Sequence, residues 1–174
     1  VLLVSPATGA AGAVCDMELL IASGIRKIVA FGTCGRLDKN IAKNTIVLPT
    51  AAIREEGTSY HYLPDSDEIA TNADALKVCE NVFAGRGVAT LGGKVWTTDA
   101  VYRETAGKIA LMKERGCIAV EMELSALTAV AQYRGIDFTE FLIAEDTVDG
   151  EAVSPLERRN ADILDAALEI VVKI

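Results

Sequence analysis

Three short segments of this chain place residues able to do chemistry directly after apolar, β-branched runs: Gly32-Thr33-Cys34-Gly35, Glu121-Met122-Glu123 and Glu145-Asp146-Thr147. In the first, two glycines let backbone N–H groups close on an anion, and Thr33 adds a directional donor. The same residues also suit a plain strand-to-loop turn. In the second, an ionised carboxylate is acceptor-only and can take both hydroxyls of a sugar diol. Acids also favour the first turn of a helix for electrostatic reasons alone. In the third, two adjacent carboxyls beside a desolvated pocket can hold one proton near neutral pH, which makes a general acid. Arg159 follows on and could position that acid, although Asp149 and Glu151 nearby equally suit a solvated loop. The first segment is neither a Walker A loop nor a dinucleotide fingerprint, since no Gly-Lys-Ser/Thr and no G-x-G-x-x-G is present. The single histidine, His61, sits among Tyr60 and Tyr62 and supports no Ser-His-Asp arrangement.

The elements that must position these segments alternate. Strands are predicted over Val1–Ser5, Lys27–Phe31, Thr45–Pro49, Val88–Val95, Cys117–Val120 and Phe138–Ala144. Helices are predicted from the Thr8–Gly12 turn to about Ser23, then over Asn72–Phe83, Glu104–Glu114 and Met122–Tyr133. A polar loop is expected over Arg54–Ser66. The last helix starts at a capping box, Ser154-Pro155-Leu156-Glu157, and carries the apolar stripe Ile163, Ala167, Ile170 and Ile174. Strands alternating with helices predict an α/β fold, a three-layer sandwich around a mixed, mainly parallel sheet, as one domain over 1–174. In such sheets ligands bind beyond the carboxyl ends of strands, which is where the three segments lie.

The balance of 17 basic and 25 acidic residues gives a net charge of −8, which excludes sequence-independent nucleic-acid binding. A small anion needs only a local cluster of donors and stays possible. Acidic and basic residues break every long apolar run, so no membrane span is expected. Four scattered cysteines and one histidine give no zinc pattern. Reduced thiols in a cytoplasmic protein are the plain reading. The chain opens on Val1 already inside an apolar run, so opening strands of a larger domain are expected to precede it.

Four stretches, taken together and in order, resemble the nucleoside phosphorylase family that includes bacterial uridine and purine nucleoside phosphorylases. They are Phe31–Gly35, the run Pro49–Tyr62 (PTAAIREEGTSYHY), the run Trp96–Thr105 (WTTDAVYRET) and Ala119–Glu123. The resemblance implies cleavage of an N-glycosidic bond through an oxocarbenium-like transition state, with phosphate as acceptor, to give free base and pentose 1-phosphate. It implies that Gly32 and Thr33 bind phosphate. Glu123, Met122 and Thr8 would line the ribose, with Glu123 on the 2′ and 3′ hydroxyls. Val101, Tyr102 and Glu121 would face the base. Asp146 would protonate a purine, with Arg159 paired to it. No glutamine follows the Thr-Asp segment, which tilts the reading toward purine over uridine. No metal or organic cofactor is implied. The family's habit implies a homo-oligomer, and the loop Gly57–Pro64 is the candidate interface. One departure matters: an arginine usually stands three residues before the loop hydroxyl, and here that position is Ala30. Arg36 and Arg54 are the candidates to replace it. Hydrolysis on the same scaffold, or nucleoside binding without catalysis, are the competing readings.

Overall fold

The structure is a computed structural model that describes the backbone of residues 1–147 and 160–174, and the side chains of 1–145 and 162–174. The chain folds as α1 (Ala10–Ala22), β1 (Lys27–Arg36), β2 (Ile46–Glu55), β3 (Glu68–Ala70), α2 (Ala73–Gly85), β4 (Thr90–Thr98), α3 (Ala106–Glu114), β5 (Cys117–Glu121), α4 (Leu124–Arg134), β6 (Asp137–Thr147) and α5 (Asn160–Lys173). Short 3-10 turns sit at Ser59–His61 and Val101–Arg103.

The strands form one sheet in the order β3-β2-β4-β5-β1-β6. Pairs β1–β6, β2–β4 and β4–β5 are parallel, while β1–β5, β2–β3 and β2–β6 are antiparallel. This is the expected α/β class with a mixed, mainly parallel sheet. Because β2 also meets β6, at Ile46↔Ile143 and Val47↔Leu142, the sheet curls until it closes on itself.

Two apolar layers flank it. Ala10, Ala13, Val14 and Met17 of α1 pack with Leu124, Leu127 and Val130 of α4 over Val47, Ala52, Val95, Ala119 and Leu142. On the other face Cys79, Val82 and Phe83 of α2 pack with Ile163, Ala167 and Ile170 of α5 over Ile46, Leu48, Phe141 and Ile143. A smaller cluster under α3 buries Trp96 completely, with Ile53, Met112 and Val120 around it. Strand alternation produces this division. In β6, Phe138, Leu142 and Ala144 face one layer, and Phe141 and Ile143 face the other.

Several expectations need correcting. Val1–Val4 form no strand and their side chains are 40–92% exposed. An extended apolar run becomes a strand only when a partner takes its backbone hydrogen bonds. β1, the strand next in sequence, is already paired with β6 and β5. Gly32–Gly35 is not a loop, since β1 runs through it: Gly32, Thr33 and Cys34 pair with Leu142, Ile143 and Ala144, and Gly35 pairs with Val120. Gly35 marks a slip in register between Cys34 and Arg36 rather than a stop, and Gly32 pairs within the regular register. β2 likewise continues through Pro49, with a slip between Pro49 and Ala51, and takes in Arg54, which was expected in the loop. β6 extends to Thr147, so Glu145 and Asp146 belong to the strand rather than follow it. The short edge strand β3 was not foreseen. The capping box at Ser154–Glu157 lies outside the described residues.

Candidate functional site

Where β5 ends and α4 begins, two acids and a methionine meet the turn before α1. The first N–H groups of any helix lack intrahelical acceptors. Here Glu121, the last residue of β5, supplies one. Its Oε2 accepts from the N–H of Glu123 at 2.6 Å and of Leu124 at 2.7 Å, while its Oε1 accepts from the Thr97 hydroxyl. The Thr97 oxygen in turn accepts from the N–H of Ser125 at 3.1 Å. Glu121 is buried, and both its oxygens serve protein donors. Expected to face the base, it has here the geometry of an anchor for α4.

That anchoring frees Glu123. It stands at the N-cap of α4 yet makes no side-chain cap bond. Instead its Oε1 accepts from the N–H of Gly9 at 2.5 Å. Gly9 has φ 92° and ψ 151°, a conformation that side chains rarely adopt, so glycine is needed to aim this N–H at Glu123. Thr8 is exposed beside it, and Met122 and Glu123 are half-buried. The three expected ribose residues, Thr8, Met122 and Glu123, thus share one place. Gly9 was missed because its contribution is a backbone N–H; the glycine just ahead of an apolar helical period is the signal that could have found it.

A second tier ties the loop after β2 to the same helix start. The Ser125 hydroxyl donates to Glu56 Oε1 at 2.8 Å, and Glu56 Oε2 accepts from the N–H groups of Thr58 and Ser59 at 2.6 and 2.9 Å. Asp99, after β4, accepts from the N–H of Gly57 at 2.9 Å. His61 lies in this loop and faces a hollow of about 550 Å³ between α1 and α4, with Cys15, Glu18, Tyr62, Tyr133 and Arg134 around it. Arg134 grips Glu18 with Nε at 3.0 Å and Nη2 at 2.9 Å, which lowers the Glu18 carboxyl below its ordinary range.

The buried acids under the site are shifted toward their neutral forms. Burial, with the Glu123 charge adding to it and the bonds from Thr97 and the two amides opposing it, pushes Glu121 up to about 7. Burial, reinforced by Glu121 and Glu123, raises Glu140 of β6 well above the carboxylate range. The Cys34 thiol is pushed up to about 12, mainly by burial and then by these acids.

The candidate replacements for the arginine that Ala30 lacks are engaged elsewhere. Arg36 Nε donates to the Glu145 carbonyl at 2.9 Å and its Nη1 to the Ile41 carbonyl at 2.8 Å. Arg54 Nε donates to Ser59 Oγ at 2.9 Å and its Nη1 to the Pro64 carbonyl at 2.8 Å and Ser66 Oγ at 2.7 Å. Its guanidinium lies 4.1 Å over the Tyr60 ring.

Other expected residues are not gathered here. Gly32 is half-buried within β1. Thr33 is exposed and pairs with Ile143, so it shares the α2/α5 face while Cys34 packs on the α1/α4 face. Val101 and Tyr102 project from the 3-10 turn after β4, 46% and 98% exposed. Asp146 lies in β6, but its side chain and all of Arg159 fall outside the described residues. Among the described residues no cluster of three or more His, Cys, Asp or Glu could hold a metal ion, and no helix is long and apolar enough to cross a membrane.

A phosphorylase superfamily model matches residues 1–173. The chain belongs to the phosphorylase superfamily. Among curated relatives, the DeoD-type purine nucleoside phosphorylase of Bacillus cytotoxicus is 27% identical over 160 residues, covering 90% of this chain and 68% of the relative. That of Bacillus cereus is 26% identical over the same shares. Among solved structures, the AMP nucleosidase of Bacteroides thetaiotaomicron superposes with a TM-score of 0.81 at 24% identity, over 95% of this chain and 68% of that one. A P knowlesi homolog of P falciparum PNP superposes with a TM-score of 0.77 at 19% identity, over 95% and 67%. At these identities the two structures share the fold with this superfamily member, and they carry both a phosphorylase and a nucleosidase name on one scaffold.

Proposed function

We propose that this chain cleaves the N-glycosidic bond of a purine nucleoside, with phosphate as the acceptor. The observation that carries the reading is Glu123. A carboxylate is held by the Gly9 amide at the mouth of α4, with Thr8 and Met122 beside it and its own helix start secured by Glu121. An acceptor-only group fixed in this way suits the vicinal hydroxyls of a ribose and favours positive charge developing on the sugar ring. The curated relatives bearing a purine phosphorylase name support the choice of base and acceptor. Asp146 is proposed as the proton donor to the leaving base, assisted by Arg159, and Gly32 and Thr33 as phosphate contacts.

A second reading, hydrolysis, is favoured by a specific observation. The α1/α4 face of the sheet carries Glu121 and Glu140, Ala30 brings no charge to it, and Arg36 and Arg54 are engaged with carbonyls and hydroxyls. With Ala30 neutral and Arg36 and Arg54 so engaged, little on this face attracts a phosphate dianion, whereas water needs no such cation.

The test is incubation of the protein with a purine and pyrimidine nucleoside panel, with and without phosphate. Base release that requires phosphate and yields pentose 1-phosphate supports the first reading. Release at equal rate in phosphate-free buffer supports the second. Nucleoside binding with no release rejects both and leaves a binding protein. The homo-oligomer is proposed on the loop Gly57–Pro64, and sedimentation showing a monomer rejects it.

A further inference from the structure

Glu140 is a charged residue type at the centre of β6, 5% exposed, with apolar Phe138 and Leu142 on its own face. Its register neighbour on β1 is Ala30, which offers no polar group. Its Oε2 is buried and has no hydrogen-bond partner among the described residues. A bare carboxylate in such a place is far costlier than a neutral acid. The charged groups that act on it are Glu121 on β5 and Glu123 at the start of α4; the Cys34 thiol on β1 feels Glu140 in turn, together with Arg36 and Glu145. Arg36 is turned to the carbonyls of Ile41 and Glu145. On this face α1 contributes Ala10, Ala13, Val14 and Met17, with no charge to compensate.

From this we infer that Glu140 is a positioning residue for the sugar-binding carboxylate. It stays protonated in the working site, and its neutrality lets Glu121 hold the start of α4 and lets Glu123 remain an ionised acceptor. Loss of the Glu140 proton would put a further negative charge behind Glu121 and Glu123. Repulsion would then favour protonation or displacement of the residues that hold the sugar. The inference rests on the reading of Glu123 given above and extends it to a buried residue that touches no substrate.

Two measurements on the whole chain test it. The parent-minus-variant infrared difference spectrum at pH 7, with Glu140→Gln as the variant, should show a protonated-carboxyl C=O band, separate from any band of Glu121, which both proteins share. In the pH profile of kcat/KM for nucleoside cleavage, the alkaline limb should move up by at least one pH unit, or vanish, in Glu140→Gln. A parent-minus-variant spectrum without that band, or an alkaline limb that coincides with the parent's, overturns the inference. So does a folded Glu140→Gln protein with kcat/KM reduced more than a hundredfold at all pH values, since that means the ionised form is required. A parent that loses the band on substitution but cleaves no nucleoside rejects the catalytic reading of Glu123, and with it the positioning role, while leaving the proton on Glu140 established. A parent that cleaves nucleoside but never shows the band rejects Glu140 alone.

Discussion

At the scale of single residues, Glu121 and Glu123 show how two like side chains acquire different work. They are separated only by Met122, yet Glu121 is buried against three protein donors and Glu123 is half-buried with one backbone donor. The sequence located the pair at a strand-to-helix junction, and there its reach ended, because which acid anchors and which faces outward depends on Thr97 and Gly9, both remote in sequence. The difference is measurable. Glu123→Ala should lower kcat/KM for nucleoside cleavage about 100-fold, the loss of roughly 3 kcal/mol expected for a pair of charged hydrogen bonds to the sugar. Urea midpoints should change little, since Glu123 makes no cap bond. Glu121→Ala should do the reverse in kind. It strands the N–H groups of Glu123 and Leu124, and should cost about 2–4 kcal/mol of stability by urea denaturation. Equal stability losses in the two variants would reject this division of labour.

At the scale of elements, the outline was legible and the ends were not. Apolar periodicity found α1, α2, α3, α4 and the cores of β1, β2, β4, β5 and β6, because amphipathic patterning is a local property. It stopped β1 at Gly32, β2 at Pro49 and β6 at Ala144, because glycine, proline and acids are local breakers. The structure carries β1 and β2 across the first two through register slips that only the neighbouring strands can impose. The turn from Gly9 into α1 is the opposite case, where a glycine is required by its own dihedrals. Gly9→Ala keeps the N–H but forces a side chain into φ 92°. It should destabilise the protein by about 1–2 kcal/mol in urea denaturation. It should also raise KM for nucleoside, since the N–H that aims Glu123 would shift. A variant with parental stability and KM would show that the turn is not held in this conformation.

At the scale of the whole molecule, closure of the sheet through β2 and β6 joins residues nearly a hundred positions apart, and nothing in a local pattern announces it. Its consequence is a sheet face where acids from β5 and β6 are buried together, and this makes folding depend on pH with a definite sign. Burial pushes Glu121 up to about 7 in the folded chain against an ordinary value of 4.5, and Glu140 is likewise raised well above the carboxylate range. The unfolded chain therefore loses these protons first. Between about pH 4.5 and 7 the folded state binds more protons than the unfolded state, so stability falls as pH rises, and for Glu140 the fall continues until it ionises in the folded chain. Glu18 and Glu169, lowered by Arg134 and by Lys173 with Arg86, act in the opposite sense, and their contribution is lost as pH drops below 4.5. The two trends place the stability maximum near pH 5. Urea midpoints measured from pH 4 to 9 should peak near 5 and fall by an amount on the order of a few kcal/mol by pH 8. In Glu140→Gln the descent should become shallower, because the buried group can no longer ionise. Midpoints that rise steadily from pH 5 to 8 would mean that Glu121 and Glu140 ionise in the folded protein as they do in the unfolded chain.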